Sequence, residues 1–319
     1  MSYVPQLRPL SVGEILDVAL KIWRRHFVPL AKLVLFVVTP VQILSSLVLA
    51  SAIPNSDAFF DPSAFDPTTN TTSDVFGESF DGGDAAAFFA AFALVTLLSG
   101  LAFVLSSAAA LQAVTVAYLG GTPDWKESLR MAVSRLGRLI GLSILMGLGL
   151  TLGFVLCIVP GVWLAVAWSL AFVALVAEDL GATAALRRSY SLVRGRFWPT
   201  FGVLLIAFVI NTVVDQIVSI PFAIGSFFSA DSVIGFTLSA IAAIISDVIT
   251  TPFVAAVFVL VYFDLRVRKE GFDLQLMAQA IGQPEGFPSG GMYPQPPGPH
   301  GQPGWAPPPS DWPPPGPPS

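Results

Sequence analysis

Residues 194–229 read RGRFWPTFGVLLIAFVINTVVDQIVSIPFAIGSFFS: two arginines, a Phe-Trp pair, then a long apolar run in which Asp215 is the sole ionisable side chain. A membrane span needs about 20 such residues. Basic residues mark its cytoplasmic end, and aromatic rings settle at the bilayer interface. Working outward, the same junction recurs at Arg25-His26-Phe27 and at Arg138-Leu139-Ile140. All sixteen Lys and Arg residues lie within 8–32, 126–138, 187–196 and 266–269. Six segments between those clusters meet the length criterion: about 28–53, 86–119, 139–158, 161–177, 199–227 and 234–263. Each cluster falls on one side of the stack, so the positive-inside rule places both termini in the cytoplasm.

Composition agrees. The chain is 54% hydrophobic and 12% charged, with mean hydropathy +0.73, against about 25% charged residues in a soluble domain. The net charge of −5 is local: seven carboxylates lie between Asp57 and Asp84, where no Lys or Arg occurs. That is charge asymmetry across a bilayer, and it gives no reason to expect nucleic acid as a partner. The first apolar run, behind Arg24 and Arg25, is too long for the core of a cleavable signal peptide and reads as the first span. Cys157 is expected to pack as a small apolar residue. With only His26 and His300 beside it, no metal site of the usual kind is expected, and neither is a cofactor.

The reading is therefore an all-α integral membrane protein of the plasma membrane. Residues 1–275 form the six-span domain, with an acidic outer loop over 54–85; residues 276–319 form a Pro/Gly-rich, disordered cytoplasmic tail. Spans three and four are expected to reverse at Val159-Pro160-Gly161, with a re-entrant pair over 139–177 as the alternative. Three cytoplasmic segments share one plan, an amphipathic helix entering a hairpin of spans. Ser11–Arg25 carries Val12, Ile15, Leu16, Ala19, Ile22 and Trp23 on one face, and Ser11 with Glu14 forms a capping box. Residues 123–138 present Leu129, Val133 and Leu136, and residues 181–196 present Ala185, Leu186, Ser189 and Val193. Each is expected to lie in the inner interface.

Arg8-Pro9-Leu10-Ser11-Val12-Gly13-Glu14-Ile15-Leu16-Asp17 is one of three distinctive stretches. The others are Ala184-Ala185-Leu186-Arg187-Arg188-Ser189 through Gly195-Arg196-Phe197-Trp198, and Tyr262-Phe263-Asp264-Leu265-Arg266-Val267-Arg268-Lys269-Glu270-Gly271. Together they resemble the bacterial membrane domain named for its fusion to glycerophosphoryl diester phosphodiesterases. The resemblance implies a six-span helical domain with no assigned activity. The catalytic domain of the fused proteins has no counterpart here, and no His–carboxylate cluster serves such chemistry, so no catalytic residue and no enzyme activity are expected.

Ionisable groups inside spans are costly and point to function. Asp215 and Asp247 lie about 15 and 16 residues from the inner ends of spans five and six, at matching depths of about 23–24 Å. Asn211, Gln216 and Thr251 stand near them, and Pro252 frees backbone carbonyl groups. One reading is a proton or cation site; the other is two acids reaching outer-leaflet water. Arg187, Arg188, Arg194 and Arg196 are candidate lipid-headgroup contacts, which topology alone also explains. Tracts such as Pro307-Pro308-Pro309 offer a ligand to a partner protein. The leading expectation is a non-enzymatic scaffold or accessory protein contacting membrane lipids and partners; the alternative is a small transporter or channel using the intramembrane acids. A scaffold predicts a closed, dry bundle, whereas a transporter predicts a polar cavity at Asp215 and Asp247.

Overall fold

The computed structural model describes residues 10–52, 82–229 and 232–271. The acidic stretch before Gly82 and the Pro/Gly-rich tail lie outside the described residues, as does Arg8. Among the described residues ten helices follow one another: α1 (Val12–Arg25), α2 (Phe27–Ala52), α3 (Gly82–Tyr118), α4 (Trp125–Ser134), α5 (Leu136–Leu156), α6 (Ile158–Trp168), α7 (Ala171–Glu178), α8 (Ala182–Val193), α9 (Phe197–Ser229) and α10 (Ser232–Glu270). Six of the described segments are long and apolar enough to cross a membrane: Phe27–Leu49, Ala86–Tyr118, Leu136–Leu156, Ile158–Glu178, Phe197–Ser226 and Val233–Glu270. The chain is a multi-pass membrane protein.

The three amphipathic segments form helices α1, α4 and α8, each running almost directly into α2, α5 and α9. At α1 the capping box closes: Ser11 N–H donates to Glu14 Oε2 at 2.8 Å, and Glu14 N–H donates to Ser11 Oγ. Asp124 caps α4 by accepting from Lys126 N–H at 2.9 Å. Their buried faces pack on protein. Ile15 and Ala19 of α1 are buried in the main core. Ala185, Leu186, Ser189, Leu192 and Val193 of α8 are covered too. In α4 the buried stripe is Ser128 and Ala132, while Val133 is 52% exposed. The expected stripe through Leu129 and Val133 is thus rotated, because small residues let α4 approach its neighbours closely.

The reversal between spans three and four also moves. It sits at Cys157, whose backbone is extended (φ −176°, ψ 155°), and Pro160 falls in the first turn of α6, where a missing N–H costs nothing. Cys157 is exposed, not packed. Gly161 serves close approach: a Cβ there would meet the Phe154 ring at 2.5 Å, and one on Gly153 would lie 3.1 Å from Gly161 Cα. Gly149 faces Trp168, where a Cβ would stand 2.3 Å from the ring.

The fourth apolar segment is broken. Between α6 and α7, Ser169 and Leu170 interrupt the helix, and fully buried Ser189 of α8 bridges the gap. Its hydroxyl donates to Ala167 O at 2.8 Å and accepts from Leu170 N–H at 3.1 Å. Backbone groups freed in an apolar setting need such partners.

Candidate functional site

Three cavities among the described residues share walls. The central one, about 420 Å³, is lined by residues of α3, α5, α6, α7, α9 and α10 and by Ser169 at the break. Asp247, Thr250, Thr251, Asn211, Ser107 and Ser169 supply its polar groups, and Phe103, Phe172, Phe258 and Met146 contribute to its apolar wall. A cavity of about 130 Å³ between α2, α3 and α10 shares Phe103, Asp247 and Thr251 with it, and adds Gln42, Ser99 and Ser106. A third, of about 330 Å³ between α1, α9 and α10, shares Asn211 and Thr250. The α10 turns that carry Asp247, Thr250 and Thr251 therefore border all three.

Local sequence explains why this part of α10 is polar. Pro252 has no N–H for the carbonyl one turn back, so the helix is weakened where the cavities meet. Thr250 Oγ1 donates to Ser246 O at 2.8 Å, and Trp23 of α1 donates its indole N–H to Ile249 O at 3.0 Å. Helix α1 thus closes against the same turns instead of resting apart from the spans.

Of the residues singled out from sequence, Asn211, Asp247 and Thr251 come together on the central cavity. Asp215 does not join them: its Oδ1 accepts from Ser246 Oγ at 2.6 Å, and it lines none of the three cavities. Gln216 is exposed and also lies off them. The two acids therefore occupy different surroundings on adjacent helices. Among the described residues, Asp247 makes no hydrogen bond or ion pair. Thr250 stands beside Thr251 in the sequence and shares its signal, whereas Ser107 and Ser169 give none, since lone hydroxyl residues in apolar helices usually satisfy their own backbone.

The arginines divide as well. Arg187 and Arg194 are exposed and Arg196 is half-buried. Arg188 is committed to protein: it donates Nε to Glu178 Oε2 at 2.9 Å and Nη2 to Glu178 Oε1 at 2.7 Å. It also grips Glu270 through Nη1 and, at 2.8 Å, Nη2. Arg266 Nε donates to Glu270 Oε2 at 3.2 Å, and the Tyr262 hydroxyl donates to Glu178. The hydrogen bond to Glu270, foremost, holds the Arg188 guanidinium well above its ordinary range despite burial. Nearby, Asp264 accepts from Leu10 N–H at 2.7 Å and from Arg268 Nε at 2.8 Å, while Arg268 Nη2 donates to Leu10 O at 2.7 Å. Arg135 and Arg138 reach Asp179 beyond the end of α7, each at 3.0 Å, and Arg135 also donates to Val176 O at 2.8 Å.

These contacts bring the three distinctive stretches to the last turns of α10. Leu10 represents the first, Arg188 the second, and Asp264, Arg266, Arg268 and Glu270 the third. The Asp264–Arg268 and Arg266–Glu270 spacings of i,i+4 are the available signal for part of this network; Glu178 gives none.

Residues 89–265, more than half of the chain, match the family model described as Domain of unknown function (DUF7847). No curated protein and no solved structure matches.

Proposed function

The chain belongs to the DUF7847 family, whose description assigns no function, and we propose that it is a small, non-catalytic transporter of the plasma membrane with both termini in the cytoplasm. One observation carries this reading: the unpaired carboxylate of Asp247 opens onto a cavity of about 420 Å³ bordered by a broken helix. Discontinuous helices at membrane depth are tolerated where they line a cavity, and transporters build solute sites from them. The three cavities adjoin one another across shared residues of α3, α9 and α10, which supports this reading, and Trp23 of α1 stands at the wall of one of them. The test is flux in proteoliposomes of purified protein under a pH or ion gradient. Wild-type flux should exceed that of empty vesicles, and Asp247→Asn should abolish it, while Gln216→Ala leaves it intact. Equal flux with and without protein would remove the reading.

The second reading is a membrane scaffold. It draws support from exposed Arg187 and Arg194, available to anionic headgroups at about 1 kcal/mol each, and from the proline tract as a partner ligand. The likeness to the membrane domain of glycerophosphoryl diester phosphodiesterases fits either reading. In this view α1, α4 and α8 sit at the inner face and the six segments pair as three hairpins. Partners that co-purify with the full chain and are lost on deleting residues 284–319 would favour it.

A further inference from the structure

We infer that the central cavity binds an organic cation, a substituted ammonium group carrying an apolar or aromatic body; this deepens the transporter reading and rests on it. Charge decides the first point. Among the described residues Asp247 is the only ionisable side chain on the cavity wall, and no Lys, Arg or His lines it. An anion would meet an uncompensated carboxylate. A neutral solute would offer that carboxylate no counter-charge, whereas a cation beside it favours the ionised form and gains an ion pair in an apolar setting.

Size and lining decide the second. A bare metal ion prefers about six to eight oxygen ligands closed around it, or a near-ideal octahedron if small. Here the oxygens are spread over α3, α9, α10 and the α6–α7 break, and the volume is in the range of small-molecule sites, about 300–1,000 Å³. Most of the wall is hydrocarbon, with Phe103, Phe172 and Phe258 among it. Aromatic faces favour an alkylated ammonium both by apolar contact and through the ring quadrupole. Asp215 lies off the cavity wall, its carboxylate accepting from Ser246 Oγ.

The experiment is calorimetric titration of the full chain in mild detergent with benzyltrimethylammonium. Its uncharged carbon analogue, neopentylbenzene, and the anion benzenesulfonate serve as comparisons. Saturable single-site binding of the cation alone is expected. Asp247→Asn should weaken it roughly tenfold or more. Asp215→Asn should weaken it far less than Asp247→Asn, and Asp247→Glu should retain it, which shows that a charge on the cavity wall and not a fold defect is at issue. Absent binding to wild type, binding indifferent to Asp247→Asn, or equal binding of neopentylbenzene would each overturn the inference. The two levels separate cleanly. Flux that depends on Asp247 without cation binding removes the ligand class and leaves the transporter; cation binding without any flux does the reverse.

Discussion

Arg187 and Arg188 are neighbours in the chain with opposite fates. The side chain of Arg188 is 23% exposed and those of Glu178 and Glu270 are 20% and 28% exposed, so its pairs are shielded from water. Removing Arg188 leaves two shielded carboxylates, Glu178 and Glu270, to the single charge of Arg266. Arg188→Gln should therefore lower unfolding free energy by about 2–4 kcal/mol, and Arg188→Lys should recover only part, because an ammonium has three donors on one nitrogen and cannot reproduce the guanidinium's paired bonds to both carboxylates. Arg187→Gln should stay within about 0.5 kcal/mol. Urea unfolding in detergent followed by tryptophan fluorescence measures both, and equal effects would contradict the division. His26 makes a pH-dependent case: burial, and then Arg25, lower its pKa from 6.5. The fold thus disfavours the charged imidazole, so stability present above about pH 6.5 declines on acidification. His26→Gln should flatten that decline slightly, His26 being only half-buried, in melting curves taken across that pH. None of this is legible in the linear chain. Arg188 and its partners are separated by 10 and 82 residues, and only the folded chain tells which arginine of a pair turns inward.

Helices are far more legible than their joints. Each of the six expected spans overlaps a segment seen in the structure, because apolar length alone decides a crossing. Where a helix bends or breaks depends on packing, which local sequence signals misplace. Proline and glycine at 160 and 161 suggest a turn, yet Pro160 is tolerated inside α6 and Gly161 answers to Phe154. The gap at Ser169–Leu170 carries no proline or glycine at all; its partner, Ser189, comes from α8. Ser189→Ala should cost about 1–3 kcal/mol by stranding Leu170 N–H. The α5–α6 pair offers a sharper comparison. Gly149→Ala would press a methyl group into Trp168, and Gly161→Ala would do the same to Phe154, each at about 1–3 kcal/mol. A methyl group added at Gly147 would meet nothing within 4 Å, so Gly147→Ala should be neutral or stabilising by up to about 1 kcal/mol. Thermal melts of the three variants rank the helix faces directly.

Convergence of distant stretches is what the linear pattern conceals and the fold supplies. Basic residues mark sidedness, yet Arg135, Arg138, Arg188, Arg266 and Arg268 also tie separate elements together, Arg266 through Glu178 and Arg268 through Leu10 O. The site is legible in part: intramembrane acids are conspicuous in any apolar run, but which of the two faces a cavity depends on helix rotation, which hydropathy does not encode. Sidedness itself can be read from one native atom. The chain has a single cysteine, Cys157, and it is exposed at the α5–α6 connection. Phe154, Val155, Leu156, Ile158 and Val159 around it are exposed and apolar, with no ionisable side chain nearby in sequence. The cluster at 126–138 sits at the other end of α5, so cytoplasmic placement of those cations sends Cys157 to the outer face. A membrane-impermeant maleimide added to intact cells should label the wild-type chain without lysis and should leave Cys157→Ser unlabelled. A second cysteine placed at Arg187 in the Cys157→Ser background should react only after the membrane is opened. Labelling of Cys157 confined to lysed cells, with Arg187→Cys reacting from outside, would invert the orientation and with it the direction from which a solute reaches Asp247.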